Sequence, residues 1–168
     1  VTLMKGFFTA HSAKFGLEEF MSFCSNMIKE IKLGRILMSF SYLQFQDKKL
    51  QITSGGMPPV FYHNKVKNQI EEILIEGMPL GSMRNAKYNA INKDLLSGDT
   101  ILLLTDGLPE QMNNRDEMFD YPRIKSLFEE NINQQPNTII EKFIEAGDKW
   151  MDGRLQDDDI TLVVIRVK

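Results

Sequence analysis

The chain has 168 residues, 42% hydrophobic and 26% charged, the balance of an ordinary soluble globular domain with enough mass to bury a core. A net charge of -3 supplies no electrostatic case for nucleic acid or an anionic membrane as the main partner. A single cysteine, Cys24, excludes an internal disulfide and fits a reducing compartment such as the cytoplasm, and no apolar run approaches the ~20 residues of a membrane-spanning helix.

The opening VTLMKGFFTAHSAKF is too short in its apolar part and too mixed for a signal peptide, and without an initiator methionine it reads as the start of a fragment or of a processed product. Residues 16–33 place Leu17, Phe20, Met21, Cys24, Met27, Ile28 and Ile31 at three- and four-residue steps, which predicts an amphipathic helix with Glu18 and Glu19 at its positive end. Strands are expected over 36–46 and 49–54, joined as a hairpin by Asp47-Lys48-Lys49. Gly55-Gly56 breaks that pattern, and Met57-Pro58-Pro59 leads into VFYH, a further strand.

IEEILIEGMPLGSM predicts one more strand and then a turn around Gly77, Pro79 and Gly81. KYNAINK alternates, and Ser97-Gly98-Asp99 is a turn ahead of the apolar strand ILLL. Between Asp116 and Trp150 the pattern is helical twice, with Pro136 dividing the segments, and ITLVVIRVK, 160–168, closes the chain as a β-branched strand. Hairpin connections and grouped helices predict an α+β fold rather than a doubly wound parallel sheet, in one domain over 1–168.

Two acidic turns follow from this layout. ILLLTDGLPEQ drives a buried strand into Thr105-Asp106-Gly107, and QDDDIT sets Asp157, Asp158 and Asp159 before the last strand. Each is open to two readings: a solvated strand cap, or half of a hard-cation site, because Mg²⁺ and Mn²⁺ favour carboxylate oxygens and offset the repulsion of clustered acids. The cation reading requires the two strands to be sheet neighbours. Cys24 lies on the apolar face of its helix and reads as core. His11 and His63 lack metal-ligand spacing to another His or Cys, and Trp150 fits helix packing.

LLSGDTILLLTDGLPEQMNN followed by QDDDITLVVIRV, with TSGGMPPVFYHN and EGMPLGS upstream in the same order, resembles the PPM-type, metal-dependent serine/threonine phosphatases, in their SpoIIE/RsbU-like branch. The resemblance implies a layered sandwich of mainly antiparallel sheets flanked by helices. It implies that Asp106 and Asp158 are metal ligands, that Asp159 shapes the site or meets metal-bound water, and that Gly107 lets the backbone pass close to the ion. Glu110 matches a commonly acidic position and is supporting.

The implied chemistry is hydrolysis of phosphoserine or phosphothreonine on a protein by a water bridging two Mn²⁺ or Mg²⁺ ions, with no protein nucleophile. The implied partner is a phosphorylated regulator such as an anti-sigma-factor antagonist, in bacterial signalling. A homodimer through an exposed strand edge is a further expectation.

The sequence departs from the pattern in several places. Two acidic motifs that the family carries ahead of its first helix do not occur, so its amino-terminal strands are expected to be missing. Met57 replaces a histidine, and Asp120 stands where glycine is common. Three readings therefore stand together: a partial phosphatase domain, a pseudophosphatase that binds without turnover, and an α+β interaction module with solvated acids.

Overall fold

The predicted apolar stripe of the first long helix is buried as its spacing requires. Helix α2 (Leu17–Glu30) sinks Leu17, Phe20, Met21, Cys24 and Ile28 while Glu18 and Glu19 occupy its first turn. The computed structural model describes residues 2–31 and 37–168. The expected helix end at Leu33 and strand start at Ile36 lie outside the described residues.

The chain divides into two compact units, Val1–Met57 with Ile75–Leu95, and Pro58–Leu74 with Leu96–Lys168. The first unit holds α1 (Thr2–His11), α2 and an antiparallel sheet in the order β1 (Phe40–Gln46), β2 (Lys49–Gly55), β5 (Ala90–Asp94). The β1–β2 connection is the expected hairpin. Asp47 and Lys48 both take positive φ, 48° and 60°, the backbone hand that matches strand twist in a two-residue turn.

Met4, Phe20, Met21, Cys24, Ile28, Leu80, Ala86 and Tyr88 form the core of this unit. Within it the two glycine segments meet. A Cβ on Gly55 would stand 2.7 Å from the Met78 carbonyl oxygen, and Gly56 N–H donates to Gly77 O at 2.8 Å.

The second unit carries a four-stranded antiparallel sheet in the order β4 (Gln69–Ile73), β3 (Val60–Asn64), β6 (Thr100–Leu104), β7 (Leu162–Arg166). Helices α3 (Tyr121–Asn131) and α4 (Pro136–Met151) flank it. Phe61, Leu102, Leu104, Leu108, Phe119, Ile124, Phe128, Ile139 and Phe143 form its core. Pro136 sits at the first position of α4, where its missing N–H has no intrahelical partner to lose. Arg166 on β7 donates to the carbonyls of Ile132 and Gln134 just past α3, tying that helix end to the sheet.

Helix α3 begins at Tyr121, five residues later than the pattern from Asp116 suggested. Asn113 Oδ1 takes the N–H groups of Arg115 and Glu117, at 2.8 and 3.0 Å, and Asp116 and Asp120 adopt positive φ, 57° and 67°. Side-chain competition for backbone donors thus holds residues 113–120 out of the helix.

At the start of β6, the turn aspartate is a buried hub. Asp99 is fully enclosed and accepts from Tyr62 Oη at 2.6 Å, Lys65 N at 2.8 Å and Leu96 N at 2.8 Å. Burial, then the hydrogen bond to Asp99, pushes the Tyr62 hydroxyl up to about 12.

Candidate metal centre

The strands that carry the two acidic turns are neighbours. β6 and β7 pair antiparallel from Thr100↔Arg166 to Leu104↔Leu162, so the end of β6 and the start of β7 lie at one edge of the sheet. Beyond that register Thr105 N–H donates to Thr161 O at 3.1 Å. Asp106 and Asp158–Asp159 are therefore delivered to the same place by the hydrogen-bond ladder.

The first turn closes through Glu110 N–H to Asp106 O at 2.9 Å and Gln111 N–H to Leu108 O at 3.2 Å. Leu108 anchors it, 1% exposed in the core, and leaves Asp106 and Glu110 in solvent. Burial, and then the charges of Glu110, Asp106 and Asp120, raise the Tyr121 hydroxyl above its usual range. These three carboxylates thus bear on one half-buried phenol.

The second turn sorts its three aspartates. Asp157 is a structural anchor: its carboxylate lies 3.7 Å from Arg154 Nε and accepts from buried Gln111 Nε2 at 3.4 Å. Arg154 also donates to Asn113 O at 3.0 Å and pairs with Asp116 at 2.8 Å, fastening the turn to the loop ahead of α3. Asp158 Oδ1 accepts from Asp159 N at 2.7 Å, and both side chains face solvent. Pairing Asp157 eases the repulsion within the acidic run.

The two turns abut at Gly107. A Cβ there would stand 3.0 Å from the Asp159 carbonyl carbon and 3.3 Å from Asp158 O, with Asp159 O closer still. Glycine is required by this close approach of two backbones.

The side chains that the two turns bring to this sheet edge offer only carboxylate oxygens, from Asp106, Asp158 and Asp159. Among the described residues no group of three or more His, Cys, Asp or Glu side chains is placed to hold a metal. The set suits a hard divalent cation that keeps much of its water, as Mg²⁺ does when held by one or two carboxylates.

The remaining candidates fall away from chemistry. Cys24 is fully buried in the first unit, and burial pushes its thiol up to about 12, so it stays a neutral core residue at physiological pH. His11 packs on Phe15 and Phe23, with ring centroids at 5.9 and 4.6 Å. His63 is buried on β3, with Nε2 3.2 Å from Asn68 Oδ1. Trp150 donates to the Gln111 and Glu117 carbonyls and carries Arg123 over its ring at 4.2 Å. No helix among the described residues is long and apolar enough to cross a membrane.

Antiparallel sheets with flanking helices match the fold of PP2C-like phosphatase domains. The chain is similar in structure to the phosphatase domain with a fragment of the regulatory domain of SpoIIE from Bacillus subtilis, with a TM-score of 0.76 and 18% identity over 98% of this chain and 49% of that one. A second structure of that phosphatase domain, from crystals presoaked in Mn, gives 0.63 and 15% identity over 98% of this chain and 73% of that one. By sequence the chain is 27% identical over 135 residues to the phosphoserine phosphatase RsbU of Bacillus subtilis (strain 168), covering 79% of this chain and 40% of RsbU. The family model for stage II sporulation protein E (SpoIIE) matches residues 7–168, and the chain belongs to that family. It spans well under two thirds of the length of RsbU.

Thr105, Gln111, Arg154 and the burial of Asp99 were not found by sequence reasoning. A threonine before an aspartate and a glutamine after a turn carry no periodic or charge signal. Arg154, three residues from Asp157, is the one partner that charge spacing could have suggested.

Proposed function

We propose that this chain is part of a single SpoIIE-like domain that hydrolyses phosphoserine or phosphothreonine esters on a regulatory protein in a metal-dependent reaction. The observation that carries the reading is the abutment of the Asp106 and Asp158–Asp159 turns through Gly107. Asp106 and Asp158 hold Mn²⁺ or Mg²⁺, and the family's use of two such ions extends to the complete site. Bound metal supplies charge neutralisation at the phosphoryl group and acidification of water. Asp159 and Glu110 add negative potential and hydrogen-bond acceptors at the rim. The RsbU relative bears the name phosphoserine phosphatase, which supports a phosphorylated regulator as substrate, such as an anti-sigma-factor antagonist.

The test is a thermal melt against Mn²⁺, beside Asp106→Asn and Asp158→Asn, followed by release of phosphate from a phosphoserine peptide. A cation at ~100 times its dissociation constant stabilises by about 2.7 kcal/mol. The parent is expected to shift and the variants to lose the shift. Equal behaviour of all three up to millimolar Mn²⁺ sinks the metal assignment.

A second reading has its own support. That reading is a pseudophosphatase that binds a phosphoprotein without turnover, and it is favoured by the small ligand set, since among the described residues no group of three or more His, Cys, Asp or Glu is placed to hold a metal. Binding of a phosphoserine peptide without phosphate release selects that reading. β7 is the end strand of its sheet, with Val163 44% exposed, which supports a homodimer through that strand, and light scattering in solution tests it.

A further inference from the structure

We propose that Thr105 is a positioning residue for the metal centre, its hydroxyl fixing the gap between the Asp106 turn and the Asp158–Asp159 turn. The inference rests on the metal reading above and deepens it. The β6–β7 ladder ends at Leu104↔Leu162. One residue further, the Thr105 N–H still donates to Thr161 O at 3.1 Å, but the Thr161 N–H donates to Thr105 Oγ1 at 2.9 Å. The same hydroxyl then donates to Asp159 O at 3.1 Å. A side chain has taken over from the main chain where the two strands part.

A hydroxyl has one hydrogen to give and lone pairs to accept with, and Thr105 uses both capacities. Its two partners lie on the acidic turn, at Thr161 and Asp159, while Asp106 follows it directly in the chain. Asp159 O is also the atom that a Cβ on Gly107 would meet first. Glycine sets how close the two backbones can come, and the Thr105 hydroxyl holds them there. Groups hydrogen-bonded directly to a metal ligand commonly cost 10–100-fold in affinity when removed, and a hydroxyl acting through the backbone beside the ligands falls at the low end of that range.

Thr105→Val keeps the shape and removes the hydroxyl; Thr105→Ser keeps the hydroxyl and removes the methyl. Ile139→Val, in the buried core of the same unit, serves as a control that lowers stability without touching either turn. Each variant and the parent are melted against Mn²⁺, and the Mn²⁺ midpoint is read apart from the metal-free melting temperature.

Thr105→Val is expected to raise the midpoint roughly tenfold or more. Thr105→Ser should stay within about twofold of the parent, on the same argument that the hydroxyl carries the effect. Ile139→Val should move the melting temperature alone. An unchanged midpoint in Thr105→Val, or an equal shift in Thr105→Ser, overturns the proposal and leaves the metal reading standing. A parent with no response to Mn²⁺ overturns both.

Hydrogen exchange in the unsubstituted protein tests the same bond should Thr105→Val not fold. The Thr161 amide is expected to be the slowest between residues 156 and 161 and to slow further, about tenfold, with saturating Mn²⁺. Free exchange at Thr161, unaffected by Mn²⁺, overturns the proposal.

Discussion

Gly107 and Asp159 meet backbone to backbone, with the Asp159 carbonyl carbon 3.0 Å from where a Gly107 Cβ would stand. The obstructing atoms are main chain, which cannot swing aside as the end of a side chain can. Gly107→Ala must therefore separate the two acidic turns. Overpacking of this kind costs about 1–3 kcal/mol. We expect a loss in that range by urea unfolding, together with a weakened Mn²⁺ response. An alanine variant as stable as the parent would show that the turns have freedom the structure does not display.

Asp99 gives the second prediction. Its enclosed carboxylate takes hydrogen bonds from Tyr62 Oη, Lys65 N and Leu96 N. Asp99→Ala removes the acceptor of all three and strands the Lys65 and Leu96 amides, each costing about 1–3 kcal/mol where water cannot reach it. Partial solvation of the new space keeps the expected loss near 3 kcal/mol. Urea unfolding measures it, and a loss below about 1 kcal/mol would mean the hub is replaceable.

The SGD turn was legible as a turn, and its aspartate was not legible as a buried hub. The difference is physical: turn propensity is local, whereas burial of Asp99 depends on Tyr62, 37 positions away. The elements themselves were readable because their periods of two and 3.6 are local properties, as in α2 and the β1–β2 hairpin. Pairing of β6 with β7 is not local, and sequence alone could state it only as a condition of the cation reading. Nor could the run Asp157-Asp158-Asp159 be divided in advance, since Arg154 and Gln111 claim Asp157 through side-chain geometry. The late start of α3 was hidden for the same reason, in the bonds of Asn113.

Asp120 carries the third prediction. It holds φ 67° and ψ 157°, a region open to glycine and costly for a residue with a Cβ, by about 1–3 kcal/mol. Its carboxylate recovers part of this by accepting from Tyr121 N at 2.7 Å. Asp120→Gly removes the strain and that bond together, and also frees the unfolded chain. The net expectation is a gain of about 1 kcal/mol, seen as a melting temperature a few degrees higher. A lower melting temperature would show that the Asp120–Tyr121 bond outweighs the strain.

The fourth prediction concerns alkaline stability. Burial raises the Cys24 thiol to about 12, against about 8.5 for a thiol in an unfolded chain. At neutral pH both states keep the proton, and the contribution to stability is fully present. As pH rises past about 8.5, the unfolded chain releases its proton while the folded protein retains it, so unfolding becomes progressively easier up to about 12. The Tyr62 hydroxyl, also raised to about 12, adds the same sign of effect from about pH 10, where an unfolded tyrosine begins to ionise. Between about pH 8.5 and 10 the fall therefore belongs to Cys24. Urea midpoints at pH 7, 8.5 and 9.5 should decline in the parent and stay flatter in Cys24→Ala, which starts lower because it leaves a small cavity in the first unit's core. Parallel slopes in the two proteins would mean that another group, not this thiol, governs the alkaline limit.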